Sequence, residues 1–304
     1  MEKIFNMIKD IPSFCQWENI TIPEWGWSQD HKIRFVNNNQ SLIARVSDIT
    51  HYEEKKAEYD NIVRLSKINI NSPKPIEFGV CNGGNSVYML LTWIDGVAVE
   101  DVISTLDASL QYELGVKAGQ LLKAIHDSSV IETGTDWGYV YGKNIDETIA
   151  AYRKTGIQIN HENAILNYIA QNKYLLSTRP QVIRHGDFHV GNLIIMPDNG
   201  IGVIDFDKCC PGDPWEEFGG IVWAVRLSKQ FAKGQVTGYF NGQVPEEFFK
   251  LLALYIGEYA LGHVVHALSH RPDERRDSIM ANTDFMSAMF DNFTTHIPNW
   301  YHKQ

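Results

Sequence analysis

Residues 184–192 read RHGDFHVGN, with two histidines, an aspartate and an asparagine in nine positions, and GVIDFDK follows at 202–208. Two chemistries compete for this stretch. In an extended segment His185, Asp187 and His189 alternate and share a face, as the zinc ligands of a hydrolase do. Phosphoryl transfer asks for a different set. It needs a carboxylate for the acceptor hydroxyl, oxygen ligands for magnesium, and cations around the phosphates. Asp187 and Asn192 have the Asp-x4-Asn spacing of a protein-kinase catalytic loop. The apolar runs LIIM and GVIDF flank PDNG, a hairpin signal. Asp205 closes the second run 18 positions after Asp187, where a second magnesium ligand is wanted. The zinc reading leaves Asn192 unexplained, because a neutral amide oxygen suits magnesium far better than zinc. It also ignores Asp205. His185 reads as a core or loop-bracing histidine, and His189 stays open between bracing and chemistry.

Upstream, the chain reads as a small α+β region. Residues 1–10 have Ile4, Phe5 and Ile8 on one helical face, closed before Pro12. WENITI to SLIARVSD is strand-like, with turn signals at EWGWSQD and NNNQS. HYEEKKAEYDNIVRLSKI switches to a helical period, with Ala57, Ile62, Leu65 and Ile68 as its apolar positions. PIEFGVC and SVYMLLTWI predict a hairpin around NGGN, and DGVAVED a turn leading out of that sheet.

Downstream, helices dominate. LQYELGVKAGQLLKAIHDS carries Leu114, Ala118, Leu121, Leu122 and Ile125 on one stripe. ENAILNYIAQNKYLL and PEEFFKLLALYIGEYALGHVVHAL are two further helices, with a strand–loop–strand–loop segment at 181–212 between them. The expected organisation is two lobes meeting near residue 95: residues 1–94 for the nucleotide and 95–304 for catalysis and substrate.

Composition narrows the class. The chain has 304 residues, 44% hydrophobic and 21% charged, which suits a globular protein with a substantial core. A net charge of −10 argues against nucleic acid as a partner. Cys15, Cys81, Cys209 and Cys210 show no CxxC spacing, so neither a zinc ribbon nor a disulfide framework is expected. The first residues, MEKIFNMIKDIP, lack a signal-peptide pattern. No apolar stretch is expected to span a membrane, and a cytoplasmic location is the expectation that follows.

HGDFHVGN, GVIDFD and GDPWEEF closely resemble the aminoglycoside phosphotransferase family, relatives of choline kinases within the protein-kinase-like fold. The likeness spans nearly the whole chain. It implies a small N-terminal β-sheet lobe and a larger, mostly helical C-terminal lobe. It makes Asp187 the catalytic base, Asn192 and Asp205 the Mg2+ ligands, and ATP or GTP the phosphate donor. On the nucleotide side it implies a strand cation paired with a helix glutamate. Those positions fall on Arg45 and Glu58, with Glu54 a rival one turn earlier. Arginine stands where the family pattern has lysine, and no GxGxxG covers the phosphates. Gly26 and the backbone around Ser28 would approach them instead. MLLTWIDG resembles the hinge, where backbone groups near Thr92 and Ile94 would meet the purine edge, with Trp93 packing beside them.

The acceptor is a small molecule, and the resemblance together with the acidic excess makes it cationic. Glu217 and Glu258 are the carboxylates expected to hold it. Asp207 stands where DFG has glycine and faces either the acceptor or the metal loop. Asp213, Pro214 and Glu216 fit N-cap, N1 and N3 of a helix and read as structural capping. Two rivals stay open: a pseudokinase-like nucleotide-binding protein, suggested by Arg45 and the missing glycine-rich loop, and a metal-dependent hydrolase. Oligomeric state is not legible.

Overall fold

A computed structural model describes residues 2–23, 30–131, 134–270 and 276–301. The chain opens with α1 (Glu2–Ile8), β1 (Glu18–Thr21), β2 (His31–Asn37), β3 (Gln40–Asp48) and α2 (Tyr52–Leu65). β4 (Pro75–Cys81), β5 (Ser86–Thr92) and β6 (Val97–Ala98) follow, then α3 (Val99–Val102) and α4 (Ala108–Asp127). Next come β7 (Val130–Ile131), α5 (Trp137–Thr155), α6 (Glu162–Asn172) and β8 (Gln181–Arg184). The remainder holds β9 (Leu193–Ile195), β10 (Ile201–Val203), β11 (Cys210–Gly212), α7 (Ile221–Leu227), α8 (Lys229–Tyr239), α9 (Glu246–His270) and α10 (Arg276–Ala288).

These elements form two compact units. One gathers Met1–Val99 with His185–Asp187 and Gly191–Cys209. The other gathers Glu100–Arg184, Phe188–Val190 and Cys210–Gln304. The segment with Asp187, Asn192, Asp205 and Asp207 thus groups with the N-terminal sheet rather than with the helices around it in sequence. Pairing explains why: β9 is flanked by β10 and β6, and the Val203 amide donates to Asn71 O at 2.9 Å.

The first unit is built on a five-stranded antiparallel sheet in the order β1-β2-β3-β5-β4. β2 and the first half of β3 alternate as a half-buried sheet requires, whereas β5 is buried along nearly its whole length. Ile33 and Phe35 of β2 lie opposite Ala44 and Leu42 of β3, and all four are buried. With Ile8, Ile11 and Trp17 they form an apolar core, where Trp17 stacks on Phe35 at 3.7 Å. The other face carries charge, because Lys32 lies opposite Arg45. The β4–β5 hairpin turns at Asn82–Gly84 as expected, and Asp10 accepts both the Asn82 and Gly83 amides, at 2.9 and 2.8 Å.

α2 departs from its sequence reading. It buries Lys55, Glu58, Ile62 and Leu65, while Ala57 is exposed. The helix turns two charged side chains inward because the sheet offers Arg45 as their partner, and apolar periodicity does not register such a face.

In the second unit α4 and α8 cross through glycines. A Cβ on Gly119 would lie 2.0 Å from Gln235 O, and one on Gly234 would lie 2.2 Å from Tyr112 O. Only hydrogen lets the two backbones approach so closely. The α4 stripe of Leu114, Ala118, Leu121, Leu122 and Ile125 is fully inward, as predicted. α9 corrects one expectation: its 25 residues are long and apolar enough, by length and composition alone, to cross a membrane. Most of that apolar surface is buried in the unit, where α9 packs against α5, α6 and α10.

Candidate active site

The RHGDFHVGN loop is shaped by its own polar groups. His185 is fully buried; its Nε2 bonds Ile204 O at 3.0 Å and its Nδ1 lies 3.2 Å from the Asp187 amide. Asp187 N–H can only donate, so Nδ1 accepts and Nε2 carries the proton: the imidazole is a neutral brace with both nitrogens engaged. That removes it from zinc ligation. Gly186 sits at φ 85°, and a Cβ there would lie 2.0 Å from Lys208 O, so the turn admits glycine alone. Asn192 Nδ2 donates to Asp187 O at 2.9 Å and closes the loop over its Asp-x4-Asn span. The Asp187 carboxylate is thereby presented with its side chain 30% exposed, and Lys208 Nζ lies 3.3 Å from Oδ2.

Asp205 follows β10 with φ 69°, a left-handed conformation that side chains rarely adopt and that clusters at functional sites. One Asp205 oxygen lies 3.5 Å from Arg45 Nη1. Arg45 is buried and divided among three carboxylates. Its Nε and Nη2 donate to Asp30 Oδ2 at 2.8 and 2.6 Å, and Nη1 also pairs with Glu58. Lys55 joins from α2, 3.0 Å from Asp30 and 3.2 Å from Glu58. Ser47 Oγ donates to Asp30 Oδ1 at 2.6 Å. Burial opposes ionisation of Asp30, but Arg45, Ser47 and Lys55 win and hold its carboxyl down at about 2. Arg45 and Glu58 therefore meet as the resemblance implied, and Glu54 pairs with His51 instead, 3.1 Å away.

Asp187, Asn192 and Asp205 thus share one compact unit with the buried Arg45 and Glu58, a grouping of oxygen donors and cation of the kind that phosphoryl transfer uses. Residues 19–249 match the phosphotransferase enzyme family. The chain belongs to that family. Among curated proteins no sequence match is found. Similar solved structures include the GDP complex of wild-type aminoglycoside 2'-phosphotransferase-IIIa, at TM-score 0.66 and 12% identity over 94% of this chain and 97% of that one. A thermostable mutant of aminoglycoside phosphotransferase APH(4)-Ia, in a ternary complex with AMP-PNP and hygromycin B, gives 0.65 and 18% over 95% and 97%. Aminoglycoside phosphotransferase APH(3'')-Id from Streptomyces rimosus, with ADP and streptomycin, gives 0.55 and 14% over 86% and 98%. At these identities the likeness shows a shared, kinase-like fold.

Magnesium is the ion this family pattern implies, and the phosphotransferase's donor set fits it. Asp205, Asn192 and Asp207 offer oxygen only. Asp207 Oδ1 is buried without a hydrogen-bond partner among the described residues. Burial, then the neighbouring Asp205 charge, raises the Asp207 carboxyl above its ordinary value. A divalent cation at these carboxylates would relieve both. Among the described residues no three His, Cys, Asp or Glu side chains form a closed metal cage. Magnesium is usually held instead by one or two carboxylates together with substrate phosphates.

Other expected positions fare differently. Ser28, with Gly26, lies outside the described residues. At the hinge the Thr92 amide already donates to Lys74 O at 2.9 Å, so it is not open to a purine. The Ile94 backbone makes no hydrogen bond to the described residues. Trp93 packs, with the Arg34 guanidinium 4.5 Å over its ring.

Glu217 and Glu258, the carboxylates expected to hold the acceptor, are both buried. Glu217 is 6% exposed; the Phe188 amide donates to its Oε1 at 3.4 Å, and its Oε2 lies 3.6 Å from His126 Nε2. Glu258 is 8% exposed and accepts the Thr148 and Tyr141 hydroxyls at 2.7 and 3.1 Å. Capping also needs revision. Asp213 does accept the Trp215 amide at 3.0 Å, but it is fully buried on Arg179 and Tyr255, and Glu216 pairs with Arg184. Sequence reasoning missed Asp30, Lys55 and Lys208. Only Lys208 left a signal, as the residue after DFD.

Proposed function

We propose that this phosphotransferase moves the γ-phosphoryl group of ATP or GTP to a hydroxyl of a small molecule. One observation carries the reading. The partly exposed Asp187 carboxylate is held by the His185 brace and the Asn192 clamp in the same compact unit as the Asp205–Arg45–Glu58 charge cluster. Asp187 orients the acceptor hydroxyl and takes its proton as the phosphoryl group departs. Lys208, beside it, keeps that carboxylate in place. Asp205 and Asn192 would hold magnesium, which supplies charge neutralisation on the phosphates when bound.

The nucleotides carried by the solved relatives support a nucleoside triphosphate as donor. The hygromycin B and streptomycin bound by two of them make a polyamino-alcohol the first acceptor class to try. With Glu217 and Glu258 interior, a cationic acceptor would be met by Asp187 and Asp207 at the loop itself.

The test is a transfer screen: Mg2+ with ATP or GTP against aminoglycosides, amino-alcohols and sugars, with detection of phosphorylated product. Product formation by the wild type and its loss in Asp187→Asn support the reading. If ATP or GTP shifts the melting temperature but no acceptor is ever phosphorylated, a nucleotide-binding role replaces it.

A further inference from the structure

Contact with a nucleoside triphosphate needs a cation with donors to spare, and the arginine at the expected strand position has few. Arg45 is 7% exposed and spends its N–H groups on Asp30, Glu58 and Asp205. Lys55 is also committed, to Asp30 and Glu58. A third cation stands one strand away. Lys32, the second residue of β2, lies directly opposite Arg45 in the β2–β3 ladder, so both side chains leave the same face of the sheet. It is half-buried and makes no hydrogen bond or ion pair with the described residues. Asp205, Asp30 and Glu58 all act on its charge through space.

We propose that Lys32 contacts the nucleotide phosphates, a role moved from β3 to β2, and that Arg45 is a positioning residue that locks Asp30, Glu58 and Asp205 in register. This rests on the nucleotide-dependent reading above. The chemistry suits the exchange: an ammonium on a four-carbon stem brings three donors to a phosphate, whereas a guanidinium fixed by three carboxylates has no reach left. Burial, reinforced by the facing Arg45, lowers the Lys32 ammonium from its ordinary value against the pull of the three acids. A half-buried lysine without a partner among the described residues gains when an anion arrives.

Calorimetric titration of wild type, Lys32→Gln and Lys32→Arg with Mg–ATP, Mg–GTP, adenosine and guanosine decides it. Lys32→Gln should weaken triphosphate binding about 10- to 100-fold, the worth of a charge-assisted hydrogen bond. Affinity for the nucleoside and the melting temperature of the free protein should stay unchanged, and Lys32→Arg should restore part of the loss. Unchanged triphosphate binding in Lys32→Gln overturns the inference alone. So does an equal loss for nucleoside and triphosphate, which would mark a structural role. A wild type that binds no nucleotide overturns the proposed function, and this inference with it.

Discussion

Each compact unit holds a largely enclosed arginine, and the two are used in opposite ways. Arg179 makes a fork to one carboxylate, Asp213, at 2.8 and 3.0 Å, and lies 3.7 Å over the Trp215 ring. Asp213 has no exposure and also accepts the Tyr255 hydroxyl at 2.7 Å. The fork and the Tyr255 hydroxyl answer the Asp213 carboxylate from within, as a buried acid requires if it is not to cost stability, while Arg179 Nη1 faces outward, 3.6 Å from the exposed Glu247. Arg45 instead splits among carboxylates from three segments, one of which, Asp205, remains 28% exposed. Lys32 stands opposite it with no hydrogen bond or ion pair among the described residues. A closed arginine pair is architecture; an open one, with a partly solvated acid and a spare cation, is a place where something binds.

The contrast breaks most sharply if the open side proves inert. Asp187→Asn should cut kcat by about 10²–10⁴, the usual worth of a positioned acid–base group, while the melting temperature stays put. Steady-state rates and a melting curve on one preparation check both halves. Activity within a few-fold of wild type would remove Asp187 from the chemistry.

The closed side should answer in the reverse sense. Asp213→Ala leaves Arg179 charged, largely enclosed and without its fork, and should cost about 3–5 kcal/mol of stability, read from the denaturant midpoint. A loss below about 1 kcal/mol, the scale of an exposed pair, would mean that water or the existing Glu247 contact is enough to hold Arg179 and that the pair is not closed.

Asp30 belongs to the open cluster yet is mostly enclosed, so it should show a stability effect of middle size. Its folded value of about 2 lies below the ordinary 3.8. For an acid with a depressed value, the stabilisation is fully present above the unfolded value and disappears as pH falls through the folded one. The window is therefore roughly pH 4 to 2, and the contribution is about 2 kcal/mol. Asp30→Asn should flatten the stability–pH curve across that window. An unchanged acid limb would show that Arg45 and Lys55 do not hold Asp30.

How much of this was legible beforehand depended on whether a residue's role was written in spacing or in pairing. The β4–β5 and β9–β10 hairpins, the α4 stripe and the Asp187–Asn192 spacing depend on intervals of a few residues, and all could be read, although the clamp from Asn192 to Asp187 O could not. Asp30 could not, since nothing local marks a residue before a strand as the partner of an arginine 15 positions on. The inward face of α2 was misread for the same reason: burial of Lys55 and Glu58 depends on a cation and an acid supplied by other segments. Glu217 misled in the opposite direction. Without a capping duty it read as available, and the fold instead spends it in the interior.

That last point supplies the smallest and most discriminating test. Glu217 takes the Phe188 amide, next to Asp187, and lies near His126, whose Nδ1 is 2.9 Å from the Tyr239 hydroxyl. A carboxylate so placed braces the loop that carries Asp187. Glu217→Gln keeps an acceptor for the Phe188 N–H but turns an amide toward His126. It should lower kcat by a few-fold and stability by about 1 kcal/mol, the scale of one hydrogen bond. Acceptor KM should not move, because no uniform binding contact has been removed. An acceptor KM that rises while kcat and melting temperature stay at wild-type values would instead put Glu217 against the substrate, and the interior assignment would have to be abandoned.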